Sequence, residues 1–261
     1  MGRNRPRNDD QDLRFGLMYG LSWTAGFVDA VVYIALYHVF VANMTGNTVV
    51  SATGLTQDDW GQFFRRGAAI PVFVGGMLFS KCGIYLAERR RISFLPALLY
   101  FFEALLLGFF VLLGSWPKPG NLSLARYFLV VALPSFAMGI QNAMHTHFGP
   151  FNVHTTHVTG TLARFTDELA QFLIWFGERW HPVRRKRLKR IFAVSWRQTK
   201  LRNAVILAGV WGCYFFGAGV GAFLKQKWNL LCLLCPIALL LLLTAGDLWR
   251  PAALRAYKQH L

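Results

Sequence analysis

The feature that most restricts this chain is a series of apolar runs at roughly residues 15–41, 67–87, 94–114, 124–146, 203–224 and 229–247. A helix needs about 20 predominantly apolar residues to cross the hydrocarbon of a bilayer, and each run is of that order. Hydrophobic residues make up 54% of the chain and charged residues only 15%. That is more apolar surface than one soluble core could hold. The expected fold is all-α, a polytopic transmembrane helical bundle of about six spans. The first run is far longer than the h-region of a signal peptide, so it reads as a retained span.

A formal charge of +16 would suit nucleic acid if Lys and Arg were gathered on one folded face. They sit between the apolar runs instead, so no nucleic-acid partner is expected, and their placement sets topology. With Arg3, Arg5, Arg7 and Arg14 inside, six crossings put Glu88-Arg89-Arg90-Arg91, the stretch from Arg179 to Arg202, and Arg250, Arg255 and Lys258 in the cytoplasm. Arg65, Arg66, Lys118, Lys225 and Lys227 stay outside. Two further segments, Asn43 to Leu55 and Thr155 to Phe176, are shorter or more polar, and are expected to re-enter or lie at the interface. A crossing by the second alone would turn the basic loop from His181 to Arg190 outward.

The chain then divides into a cytoplasmic tail (1–14), a single transmembrane domain (15–247) holding a basic cytoplasmic loop (178–202), and a C-terminal tail (248–261). Anionic lipid head groups are the expected partners of that loop. The stretch Asp59 to Arg66, with Trp60, Phe63 and Phe64, is amphipathic and suits the outer interface.

Self-comparison shows a repeat. Gly26-Phe27-Val28-Asp29-Ala30 returns 113 residues later as Gly139-Ile140-Gln141-Asn142-Ala143, and Thr45-Gly46-Asn47-Thr48 returns 114 residues later as Thr159-Gly160-Thr161. The span around Gly76 and Gly83 aligns with Gly212 and Gly219 at an offset of 136. Each half, about 15–114 and about 124–247, holds three crossings. An odd number forces the halves into opposite orientations, the inverted three-plus-three arrangement of many secondary transporters.

The stretches Ala25 to Ala30, Met44 to Thr48, Gly139 to Ala143 and Thr155 to Thr161 resemble the bacterial YoaK family, catalogued as domain of unknown function 1275, over about Leu13 to Gly246. The resemblance implies a multi-pass protein of the bacterial inner membrane and supplies no substrate. The basic stretch between Arg179 and Lys200 is heavier than the family pattern.

An ionisable side chain in hydrocarbon needs a partner or a wet cavity, which singles out Asp29 and Glu103, either of which could exchange protons. Asp29 occupies the repeat position of Asn142, whereas Glu103 has no repeat partner. Thr45, Gly46, Asn47, Thr48, Thr159, Gly160 and Thr161 put hydroxyls, amides and bare backbone where helices could start inside the membrane and present free N–H groups. The plainer readings are a packing hydrogen bond for Asp29 and simple capping for the threonines. Together these residues point to a transporter or permease-like protein for a small polar solute or ion.

One rival is a metalloenzyme built on His145, His147, His154 and His157, whose spacing could ligate zinc, copper or iron. Gly149-Pro150 separates the two pairs, and the first half has no counterpart to them. The other is a non-transporting scaffold or sensor acting through the basic loop. Cys82, Cys213, Cys232 and Cys235 lie in apolar runs and read as packing residues. No soluble-enzyme motif is present, so no catalytic residues and no cofactor are expected. Self-association into a homo-oligomer stays open.

Overall fold

The computed structural model describes residues 8–36, 38–92, 94–114, 124–148, 158–180 and 198–249. All regular structure among them is helical: α1 (Asn8–Ala35), α2 (Met44–Thr56), α3 (Trp60–Gly67), α4 (Ala69–Arg90), α5 (Leu95–Gly114), α6 (Leu124–Phe148), α7 (Val158–Trp180), α8 (Thr199–Trp228) and α9 (Leu234–Trp249). A short 3-10 turn, Asn229–Leu233, joins α8 to α9.

Polarity runs inside out. Leu112, Phe215 and Leu242 point outward with 68%, 67% and 69% of their surface exposed, while Asp29, Glu103, Gln141 and Asn142 are buried. A soluble fold would reverse that distribution, whereas lipid rewards it. Five helical stretches are long and apolar enough to cross a membrane: Phe15–Ala35, Trp60–Arg90, Leu95–Gly114, Leu124–His147 and Thr199–Trp249. The last is 51 residues long and contains the 3-10 turn.

Several boundaries differ from the expectation. The first span ends at Ala35 rather than near residue 41, because the chain turns at Leu36 and His38 sits at a φ of 62°. The last apolar run opens with the 3-10 turn before its helix begins at Leu234. The first Thr-Gly segment is one short helix, α2, and the amphipathic stretch after it is α3, hinged from α2 at residues 57–59, whereas the second Thr-Gly segment starts one continuous helix, α7, of 23 residues. Asp59 accepts the Gln62 amide at 2.9 Å and so starts α3, with Trp60 and Phe64 exposed as an interfacial helix requires.

Lipid is as apolar as leucine, so close backbone contact rather than hydrophobic burial holds such helices together. Here α1 crosses α8 and α4 crosses α6, each at glycines. A methyl at Gly26 would overlap the Tyr214 carbonyl, and one at Gly217 the Trp23 carbonyl. In the second crossing Gly139 lies on the Phe73 carbonyl, and Gly76 on the Phe136 carbonyl. The two contacts are copies. Gly26 and Trp23 match Gly139 and Phe136 at 113 residues, while Phe73 and Gly76 match Tyr214 and Gly217 at 141. The 136-residue alignment of Gly76 and Gly83 with Gly212 and Gly219 is therefore corrected: nothing lies within 4 Å of a methyl built at Gly212 or Gly219.

Helices α5 and α9 pack on each other. Asp247, near the end of α9, accepts the Ala97 amide of α5 at 3.0 Å. One of the orphan donors in the first turn of α5 is thus capped by a residue 150 positions away. Arg126 of α6 donates to the Leu113 carbonyl at 2.8 Å and satisfies the opposite end of α5.

Candidate functional site

After α1 the chain doubles back, and the turn is built on two side chains. Asp29 Oδ1 accepts the Val41 amide at 2.7 Å and the Ala42 amide at 2.9 Å, and its Oδ2 accepts the Tyr214 hydroxyl at 2.8 Å. Asn47 acts like a paired strand: the Phe40 amide donates to its Oδ1 at 3.0 Å, and its Nδ2 donates to the Phe40 carbonyl at 2.6 Å. These bonds satisfy backbone groups that would otherwise be orphaned in a dry interior. The plain reading of Asp29 as a helix-to-helix packing group is thus partly right, since Tyr214 belongs to α8. The carboxylate also ties down the entry to α2.

The turn closes one wall of a cavity of about 790 Å³. Asp29, Thr45, Gly46, Thr159, Tyr33, Phe40, Phe73 and Tyr214 are among its lining residues. Both Thr-Gly segments therefore reach one space, through the first turns of α2 and α7, although Thr45 and Thr159 are 114 residues apart. Among its described lining residues, Asp29 alone carries a carboxyl group. Gly46 lies against the Phe40 ring, 3.0 Å from where a methyl would sit, and Phe40 stacks on Tyr33 at 4.5 Å. Asn43 accepts the Gly46 amide at 3.1 Å and caps α2.

The remaining predicted residues fall elsewhere. Asn47 clamps Phe40 from beneath the wall, and Thr48 returns its hydroxyl to the Met44 carbonyl at 2.8 Å on an exposed face. Gly160 is exposed, and Thr161 is buried. Asn142 is buried against α4, its amide 3.5 Å from Met77 Sδ, so it echoes Asp29 in register without lining the cavity. Glu103 is buried deep in the bundle, where it accepts the Gln141 amide at 2.9 Å.

Of the four histidines, His154 and His157 lie outside the described residues. His145 and His147 are two positions apart on α6, so their side chains leave the helix about 200° apart. His145 is buried, whereas His147 pairs with Glu88 at 2.8 Å on the surface. Among the described residues no three His, Cys, Asp or Glu side chains form a metal-binding group. The four cysteines are free.

Sequence reasoning missed Tyr214, Gln141 and the aromatic wall. Gln141 lies inside the motif that defines the repeat and was legible as a polar residue in a span. Tyr214 carries no local signal, because its role comes from a contact across 185 positions.

The chain is 26% identical over 220 residues to the UPF0700 transmembrane protein YoaK of Bacillus subtilis (strain 168), covering 84% of this chain and 88% of that protein. No solved structure matches. The sequence model described as "Protein of unknown function (DUF1275)" matches residues 17–246. The chain is a multi-pass membrane protein, and it belongs to the DUF1275 family.

Proposed function

We propose that this protein is a transporter or permease-like protein of the bacterial inner membrane, moving a small polar solute or ion. The observation that carries this reading is the cavity shared by Asp29 and the first turns of α2 and α7. A helix N-terminus carries about half a positive charge and free N–H groups. Two of them beside one carboxylate suit a solute with an acceptor at one end and a donor or positive charge at the other. The rings of Tyr33, Phe40, Phe73 and Tyr214 would hold the part between.

The transport cycle we infer rests on an inverted three-plus-three repeat. Its support is the duplicated crossing, in which α1 meets α8 as α6 meets α4, together with the α5 and α9 pair that joins the halves. On this reading the stretch Thr199–Trp249 crosses twice around its 3-10 turn, making six spans, and α2 and α7 enter from opposite faces. The basic segments 1–14, 88–91 and 178–202 then lie in the cytoplasm, where the last would meet anionic lipid.

The test is thermal unfolding of protein purified in lipid nanodiscs, screened against inorganic ions and small dipolar metabolites, for wild type and Asp29→Asn in parallel. A compound that raises the wild-type Tm and leaves the variant unmoved is the expected result, and it then enters a proteoliposome uptake assay. If no compound stabilises wild type beyond the effect of lipid, the permease reading loses its basis and a non-transporting scaffold takes its place.

A further inference from the structure

Glu103 is the most enclosed carboxyl of the described residues, with no exposed surface, and its hydrogen-bond partner Gln141 is equally enclosed. One bond joins them, from Gln141 Nε2 to Glu103 Oε1. The two remaining oxygens, Glu103 Oε2 and Gln141 Oε1, are both buried and both lack a partner among the described residues. If Glu103 were ionised, both would be acceptors in a dry interior with no donor between them. Burying an unpartnered polar group is unfavourable, and burying an unpaired charge is more so.

A single proton removes both deficits. A protonated carboxyl has one O–H donor, and an amide carbonyl is the acceptor it lacks. A closed acid–amide pair would keep the observed bond from Gln141 Nε2–H to Glu103 Oε1 and add one from Glu103 Oε2–H to Gln141 Oε1. Among the described residues no cation is paired with Glu103. The ion pairs among the described residues are His147 with Glu88 and Lys200 with Glu168, and neither involves Glu103.

The helices packed on α5 offer no other counter-charge bonded to it. Buried titratable groups there are Tyr100 on α5 itself, Tyr127 and His145 on α6, Asp247 on α9 and Cys232 in the 3-10 turn. Of these, Asp247 is engaged with the Ala97 amide and Tyr127 with the Arg65 carbonyl. On α4 the half-buried Lys81 makes no ion pair with Glu103.

We propose that Glu103 and Gln141 form a proton-binding site, separate from the cavity, in which the bound proton joins α5 to α6 as an acid–amide pair. Loss of that proton to water leaves a carboxylate oxygen facing the Gln141 carbonyl, so release requires the two helices to part and admit water. On the permease reading, on which this step alone rests, that proton is the coupling ion for the solute in the cavity.

The deciding experiment is infrared spectroscopy of the protein in nanodiscs at neutral pH, with ¹³C-carboxyl glutamate, comparing wild type with Glu103→Gln. The expected difference spectrum contains the carbonyl band of a protonated, hydrogen-bonded carboxylic acid, present in wild type and absent from the variant. A difference made only of carboxylate bands would overturn the proposal and point to a bound cation or water instead. Should Glu103→Gln fail to fold, Gln141→Leu replaces it: loss of the acceptor must move the acid band to higher frequency, and an unmoved band would again overturn the proposal. Neither arm needs a solute, so the outcome stands whether or not the protein transports.

Discussion

Tyr214 donates its hydroxyl to Asp29 across 2.8 Å, joining α8 to α1 at the edge of the cavity and completing a carboxylate that already holds the Val41 and Ala42 amides. Three donors on one buried carboxylate explain how the chain can reverse direction inside an apolar bundle. A hydrogen bond to a charged group is worth about 1.5–3 kcal/mol. Tyr214→Phe should lower unfolding stability by about 2 kcal/mol and leave the fold intact. Asp29→Ala should cost more, since it orphans two backbone amides as well. Chemical denaturation in mild detergent measures both, and equal effects would contradict the geometry.

The glycine crossings predict a sharp contrast along one helix. Ala at Gly217 or Gly26 meets a partner carbonyl, so Gly217→Ala and Gly26→Ala should abolish stable expression, as should Gly76→Ala and Gly139→Ala in the matching crossing. At Gly212 and Gly219 a methyl meets nothing within 4 Å. There Ala should be neutral, or stabilising by up to roughly 1 kcal/mol through helix propensity. Fluorescence-detected size-exclusion profiles of the six variants separate the two groups, and a damaging Gly212→Ala would restore the discarded register.

Both Thr-Gly segments line one cavity, so a cysteine pair placed on them should react together. In a background lacking the four native cysteines, Thr45→Cys with Thr159→Cys is expected to cross-link through a short bifunctional maleimide, in intact membranes. A pair made of Thr48→Cys and Thr159→Cys, with Thr48 off the cavity lining, should link far less. Equal yields would mean that the segments are not held as described.

Asn47 holds the Phe40 backbone through two hydrogen bonds. Asn47→Ala leaves a part-buried N–H and C=O without their partner, at about 1–3 kcal/mol per group, so a loss of at least about 2 kcal/mol is expected. Asn47→Asp keeps the acceptor for the Phe40 amide and loses the donor to its carbonyl, so it should fall between wild type and Ala. Thermal unfolding ranks the three, and an Asp variant worse than Ala would mean that charge burial outweighs the retained bond.

Much of this protein was readable from its residues. The apolar runs require a membrane solvent, and Gly26 to Ala30 with Gly139 to Ala143 share one pattern, in which the helix that carries each glycine also carries a polar residue three positions on. Asp29, Thr45, Gly46 and Thr159 were picked out by polarity within apolar surroundings, and the fold brings those four to one cavity.

Other features were settled by contacts between distant segments. Helix α8 holds Gly209, Gly212, Gly217, Gly219 and Gly221, so several registers fit the sequence equally well, and which face meets α1 depends on how the helix is rotated. Only packing against the Trp23 and Phe27 carbonyls selects Gly217 and Gly221. In the same way Asp29 finds Tyr214, Ala97 finds Asp247 and Glu103 finds Gln141 across 185, 150 and 38 positions. Local composition says that a polar group in lipid must be satisfied. It cannot say by which residue, because the partner is set by where separate helices cross.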